Sequence, residues 1–161
     1  MLYGESMKAY VILHNVRSVH NVGSIFRTAD AAGVSKIFLT GHTPTPHDRF
    51  GRERKDLAKV ALGAEKSVDW EYQKTTLALI KKLHKEGVFV VAIEQSRGSV
   101  NYKKIHPKKV MAFVYGNEVE GIPASILKMC DAVAEIPMAG KKESLNVSVS
   151  AGVTLFGILK F

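Results

Sequence analysis

Five short runs of this chain are almost continuously apolar: AYVILH (9–14), KIFLT (36–40), GVFVVAIE (87–94), KVMAFVYG (109–116) and DAVAEIP (131–137). A strand with one face in water alternates apolar and polar residues, whereas a strand covered on both faces reads as an unbroken apolar run. Helical patterns lie between these runs. That alternation predicts an α/β fold built on a parallel sheet with helices on both faces.

Val22, Ile25, Phe26 and Ala29 recur at helical spacing after the first run, and Gly33 supplies the C-terminal cap. TTLALIKKLHKEG (75–87) is a second amphipathic helix. IPASILKMC (122–130) opens a third, with Pro123 at a first helical position. The last helix is expected from Asn146 to Leu159. It carries one apolar stripe of Val147, Ala151, Leu155 and Ile158, and a nearly opposite one of Val149, Val153 and Phe156. A surface helix on a monomer needs only one stripe, so a homodimer is expected, with Ser148, Gly152 and Gly157 leaving room for close approach. No repeat, low-complexity tract or linker interrupts the chain, and residues 1–161 read as one domain.

Charge narrows the partners. Lys and Arg number 23 against 15 Asp and Glu, a net charge of +8, which favours a polyanion because each phosphate contact releases counterions. The longest irregular segment, GHTPTPHDRFGRERKD (41–56), holds Arg49, Arg52 and Arg54. Irregular segments of this length are usually functional or mobile, so these arginines are candidate RNA contacts. No run approaches the ~20 apolar residues of a membrane span, and the first ten residues lack the apolar core of a signal peptide. A single Cys130 excludes an internal disulfide and fits a reducing cytoplasm; within SILKMCDAV it reads as a packed small hydrophobe. The histidines are scattered without metal-ligand spacing, so no metal is expected.

Ligands of an open parallel sheet gather beyond the carboxyl ends of its strands. Segments 14–27, 115–121 and 137–146 fall at such ends. GNEVEG (116–121) lacks the G-x-G-x-x-G arrangement and AGKKES (139–144) lacks the first glycine of a P-loop, which argues against a nicotinamide enzyme and a P-loop ATPase. Gly116 and Gly121 would permit close backbone approach to a ligand. On the first helix Arg27 points away from the apolar stripe, near Asn15, Arg17, His20 and Asn21. That cluster could bind phosphate and sugar hydroxyls.

Together NVRSVHNVGSIFRTADAAG, FVYGNEVEGIP and IPMAGKKESLNVSVSAGVTLF resemble the three motifs of the SpoU/TrmH branch of the SPOUT superfamily of RNA methyltransferases, in order and in separation. The resemblance implies a C-terminal trefoil knot, a homodimer, S-adenosyl-L-methionine (AdoMet) as methyl donor and a ribose 2′-hydroxyl of RNA as acceptor. It assigns catalysis to Arg27, Asn21, Glu118, Ser144 and Asn146. It walls the AdoMet pocket with Ile93, Glu94, Gly116, Asn117, Gly121, Ile136, Met138 and Leu145. Some relatives carry an additional N-terminal RNA-binding domain; none is expected here, which puts tRNA slightly ahead of rRNA. Arginine keeps its proton in proteins, so Arg27 is better suited to orient the hydroxyl and stabilise a developing alkoxide than to act as a base.

Two other readings stay open. A catalytically silent RNA-binding domain would not bind AdoMet. An enzyme methylating a base nitrogen would leave an RNA that gains no resistance to alkali.

Overall fold

The structure, a computed structural model, describes residues 7–160. Seven strands form one sheet: β1 (Lys8–His14), β2 (Lys36–Thr40), β3 (Asp69–Gln73), β4 (Phe89–Ile93), β5 (Val100–Asn101), β6 (Val110–Tyr115) and β7 (Ala132–Glu135). Their order is β3-β2-β1-β6-β4-β7-β5 and every pairing is parallel. The five apolar runs are β1, β2, β4, β6 and β7. The sequence reading missed two strands. DWEYQ of β3 lies at the sheet edge with no residue fully buried, so no apolar run marks it. β5 is only two residues long.

The helices are α1 (Val19–Ala31), α2 (Lys55–Ala61), α3 (Ala64–Ser67), α4 (Thr76–Lys85), α5 (Ala124–Leu127) and α6 (Val147–Leu159). Successive strand residues point to opposite faces, and the core divides accordingly. Val11 and Leu13 pack with Ile25, Phe26, Leu57 and Leu155 of α1, α2 and α6. Ile12 and Phe38 pack on the other face with Leu79, Ile80 and Leu83 of α4 and Ile126 of α5.

Helix ends match expectation in part. α1 stops at Ala31, and the N–H groups of Gly33 and Val34 bond back to Asp30 and Ala29; Gly33, at φ +66°, takes the left-handed position that ends the helix, as expected. α5 is shorter than the expected 122–130, and Pro123 is its N-cap in an extended conformation rather than its first helical residue. α2 begins at Lys55, inside the segment read as irregular. It buries only Leu57 and Ala61, too little apolar pattern to announce a helix.

α6 is tied to the sheet by a buried pair, the Tyr115 and Thr154 hydroxyls 2.7 Å apart, and Thr154 also donates to the Ser150 carbonyl at 2.7 Å. Cys130 behaves as a packed hydrophobe: burial, then the neighbouring Asp131 carboxylate, push its thiol up to about 12.

Candidate active site

The strand order turns around between β1 and the β6–β4 pair, because the chain runs outward from β1 through β2 to β3 before crossing back. Sheets of this kind bind ligands at that switch point, beyond the strand carboxyl ends. A cavity of about 630 Å³ lies beside it, beyond the carboxyl ends of β6, β4 and β7. Ile93, Glu94, Gly116, Asn117, Glu118, Gly121, Ile136, Met138, Ser144, Leu145 and Asn146 all line it, so the structure brings these expected residues together. Gln95, Glu120, Leu127, Glu135 and Ser150 line it too and were not foreseen. Ser150 had a readable signal, since it stands one helical turn beyond Asn146.

The charge of the cavity opposes that of the chain. Among the described residues its lining holds Glu94, Glu118, Glu120 and Glu135 but no Lys, Arg or His, in a protein of net charge +8. Such a surface favours a cationic ligand and disfavours a nucleotide phosphate. Apolar Ile93, Ile136, Met138 and Leu145 supply walls for a flat hydrophobic body.

Three loops meet through one side chain. Ser18 caps α1 by accepting from the Asn21 N–H at 3.1 Å, which fixes Asn21 in the first turn with only 7% exposure. Asn21 Nδ2 donates to Glu118 Oε1 at 2.8 Å, and Asn21 Oδ1 accepts from Asn146 Nδ2 at 3.1 Å. Asn146 in turn caps α6, its Oδ1 accepting from the Ser148 N–H at 2.8 Å. The first turn of α1, the loop after β6 and the N-cap of α6 thus contribute one member each.

The loop from Gly116 to Ile122 is shaped by side chains that sequence reading placed against ligands. Asn117 Oδ1 accepts from the N–H groups of Val119 and Glu120, while its Nδ2 donates to the Asn15 carbonyl at 2.8 Å. Glu94 accepts from the Ile122 N–H at 3.0 Å and the Gln95 N–H at 2.9 Å. The glycines serve the same closure. A Cβ on Gly116 would come within 2.6 Å of the Gly121 backbone, and one on Gly121, at φ +66°, within 2.5 Å of the Glu94 carboxylate. Close approach is needed here, but to the loop itself.

Asn15 is likewise taken up internally. It sits at φ 52°, its Oδ1 accepts from the His42 N–H at 2.8 Å, and its Nδ2 donates to His14 Nε2 at 3.3 Å. Its side chain therefore holds the ends of β1 and β2 together. Arg17 and His20 are exposed. Arg52 pairs with Asp48 at 2.8 Å and Arg54 with Asp56 at 3.3 Å. The Asp48 and Asp56 carboxyls are both held below their ordinary range, by the Arg52 N–H and by the Arg54 guanidinium respectively.

Arg27 does not line the cavity. It lines a separate groove of about 930 Å³ with His20, Ser24, Thr28, Lys59, Leu62, Gly152 and Phe156. Leu62 is 65% exposed there and Phe156 47%. The arginine and the Asn21–Glu118–Asn146 cluster thus open onto different surfaces of one chain. Among the described residues no three His, Cys, Asp or Glu side chains converge in a way that could hold a metal, and no helix is long and apolar enough to cross a membrane.

Comparison with known proteins matches residues 8–156 to the SpoU rRNA Methylase family. The 23S rRNA (guanosine-2'-O-)-methyltransferase RlmB of Salmonella typhi is 35% identical over 91% of this chain and 57% of its own length. The tRNA (guanosine(18)-2'-O)-methyltransferase of Aquifex aeolicus is 31% identical over 91% of this chain and 66% of its own. Among solved structures, the AdoMet-bound rRNA methyltransferase from Sinorhizobium meliloti superposes with a TM-score of 0.83 at 32% identity, covering 96% of this chain and 56% of that one. The chain spans little more than half the length of the first of these curated relatives.

Proposed function

The chain belongs to the SpoU rRNA Methylase family, and on that footing we propose that it methylates a ribose 2′-hydroxyl of rRNA or tRNA with AdoMet as donor. One observation carries the reading: a glutamate-lined cavity with apolar walls and, among the described residues, no cationic side chain, whose Glu118 and Asn146 are held in place by Asn21 behind them. Bound AdoMet would supply an electrophilic methyl on a positively charged sulfonium. The residues present fit such a group, because four carboxylates provide compensating charge and Ile93, Ile136, Met138 and Leu145 would hold the adenosyl body. The opposite signs of cavity and chain also separate donor from acceptor: phosphates are repelled from the pocket and drawn to the basic exterior.

In-line attack on a methyl requires chiefly alignment, and no metal enters this proposal. Asn21 and Asn146 fix the loops that define the approach, and Arg27 would hold the acceptor hydroxyl and stabilise negative charge growing on its oxygen as the hydroxyl proton passes to solvent water. Because Arg27 opens to the groove beside α6, it serves the cavity of a second copy in a twofold homodimer. The exposed Val149 and Phe156 of α6, 49% and 47% accessible, support that arrangement. The family's C-terminal knot and a cytoplasmic setting go with the same reading.

The test is single-turnover methylation of unmodified tRNA and then rRNA. Methyl-labelled product should contain an alkali-resistant linkage, and EDTA should leave the rate unchanged. Arg27→Ala should retain AdoMet affinity and lose roughly 10²–10³ in rate, the usual cost of removing such stabilisation. Label found on a base, or no AdoMet binding, would overturn the proposal.

A further inference from the structure

The loop between β2 and α2 presents an aromatic ring that the fold does not use. Phe50 is 67% exposed. It is nonetheless rigidly held, since Asp48 Oδ1 accepts from the N–H groups of Phe50 at 2.8 Å and Arg52 at 3.0 Å, and Asp48 Oδ2 accepts from Arg52 Nε at 2.8 Å. Backbone bonds from Asp48 to Arg52, from Gly51 to Asp48 and from Arg54 to Pro46 close the turn. Its base is anchored on β3, where the His47 ring packs 5.8 Å from Trp70 and the Tyr72 hydroxyl donates to the Gly41 carbonyl. That turn requires Asp48 and Gly51, the latter at φ +76°. It does not require an aromatic residue at 50.

Isolated exposed apolar side chains are common, but Phe50 has particular company. The guanidinium carbons of Arg49 and Arg52 lie 4.7 and 5.0 Å from its ring centroid. Arg52 is fixed by Asp48, whereas among the described residues no carboxylate pairs with Arg49. The loop follows the carboxyl end of β2, the same edge of the parallel sheet on which the cavity opens. An aromatic face with adjacent cations is what proteins use to stack unpaired bases while neutralising the neighbouring phosphate.

We propose that Phe50, with Arg49 and Arg52, is a stacking site for an unpaired base of the RNA, Arg49 leaving the ring face to meet a phosphate as the base takes its place. This rests on the reading of RNA as substrate. It is tested with a roughly twelve-nucleotide oligoriboadenylate carrying one 2-aminopurine, single-stranded and annealed to its complement. The wild-type protein should bind the single strand more tightly and quench its fluorescence. Phe50→Ala should lose roughly 5- to 100-fold in affinity together with the quenching, while Phe50→Trp should keep both. AdoMet titration of each variant reports whether it is folded. Equal binding and quenching by Phe50→Ala, or equal affinity for the duplex, would overturn the stacking site, and wild-type methyl transfer to RNA would leave the proposed function standing. Conversely, oligomer binding governed by Phe50 without any methyl transfer by the wild type would sustain the stacking site and sink the methyltransferase reading.

Discussion

Asn21 shows how much one amide can decide. Its nitrogen and oxygen point to different loops, donating to Glu118 and accepting from Asn146, so its orientation is set by partners of opposite demand. Asn21→Asp keeps the shape but turns the donor into an acceptor facing Glu118. Two carboxylates at hydrogen-bond distance repel, and one must hold a proton. The variant is expected to lose about 1–3 kcal/mol of stability at neutral pH and to recover part of it on acidification, because the native pair then binds more protons than the unfolded chain. Adding Glu118→Gln restores a donor opposite the new carboxylate and should recover most of the loss. Urea midpoints of the two singles and the double at pH 7 and pH 5 check this; a double mutant no more stable than Asn21→Asp would refute the pairing.

Among the elements, the carboxyl ends of β1, β2 and the start of α4 are joined by a polar relay. Asn15 donates to His14 Nε2, leaving His14 Nδ1 to donate to the Thr76 hydroxyl at 2.8 Å. Thr76 then donates to Thr40 at 2.6 Å, and Thr40 to the Leu13 carbonyl at 3.1 Å. This direction requires neutral His14. Burial lowers the His14 pKa from its ordinary 6.5, only partly opposed by the Glu120 carboxylate. The unfolded chain therefore binds a proton on His14 at a higher pH than the folded one does. Stability from this group is complete above about 6.5 and declines as pH falls toward the lowered folded value. Denaturation midpoints between pH 7.5 and 5 should fall faster for the wild type than for His14→Asn, which cannot titrate. Parallel curves would exclude the relay as the cause. Asp48 and Asp56 act in the same direction only at lower pH, below their ordinary 3.8.

For the whole molecule, the decisive face belongs to α6. Val147, Ala151, Leu155 and Ile158 are buried within the chain, while Val149 and Phe156 remain about half accessible. Phe156→Glu would place a charge in any apolar contact made there, a costly burial without a partner. Sedimentation should show a dimer for the wild type and a monomer for the variant, with methyl transfer lost although the cavity residues are untouched. Mixing subunits is the sharper measurement. Arg27→Ala and Asn146→Ala should each be inactive alone; after random reassociation about a quarter of wild-type activity should return, because each mixed dimer regains one intact site. No recovery would place both residues in the same subunit's site.

The chain's own letters determined its interior. Unbroken apolar runs reported strands covered on both faces, and Val22, Ile25, Phe26 and Ala29 reported the buried side of α1, because burial leaves a local, periodic trace. The three loops at the strand ends were legible from the same frame. Tertiary structure alone decided which side chains meet. Asn21 finds Glu118 and Asn146 across 97 and 125 residues of chain, while Arg27, six positions from Asn21 on the same helix, opens to another groove. Asn15, Asn117 and Glu94 proved to close loops, although their residue types alone suited ligands equally well. The collection of glutamates in one cavity of a basic protein was equally invisible, since Glu94, Glu118 and Glu135 end up together only through the order β6-β4-β7. Strand order is set by long-range packing, and no local period records it.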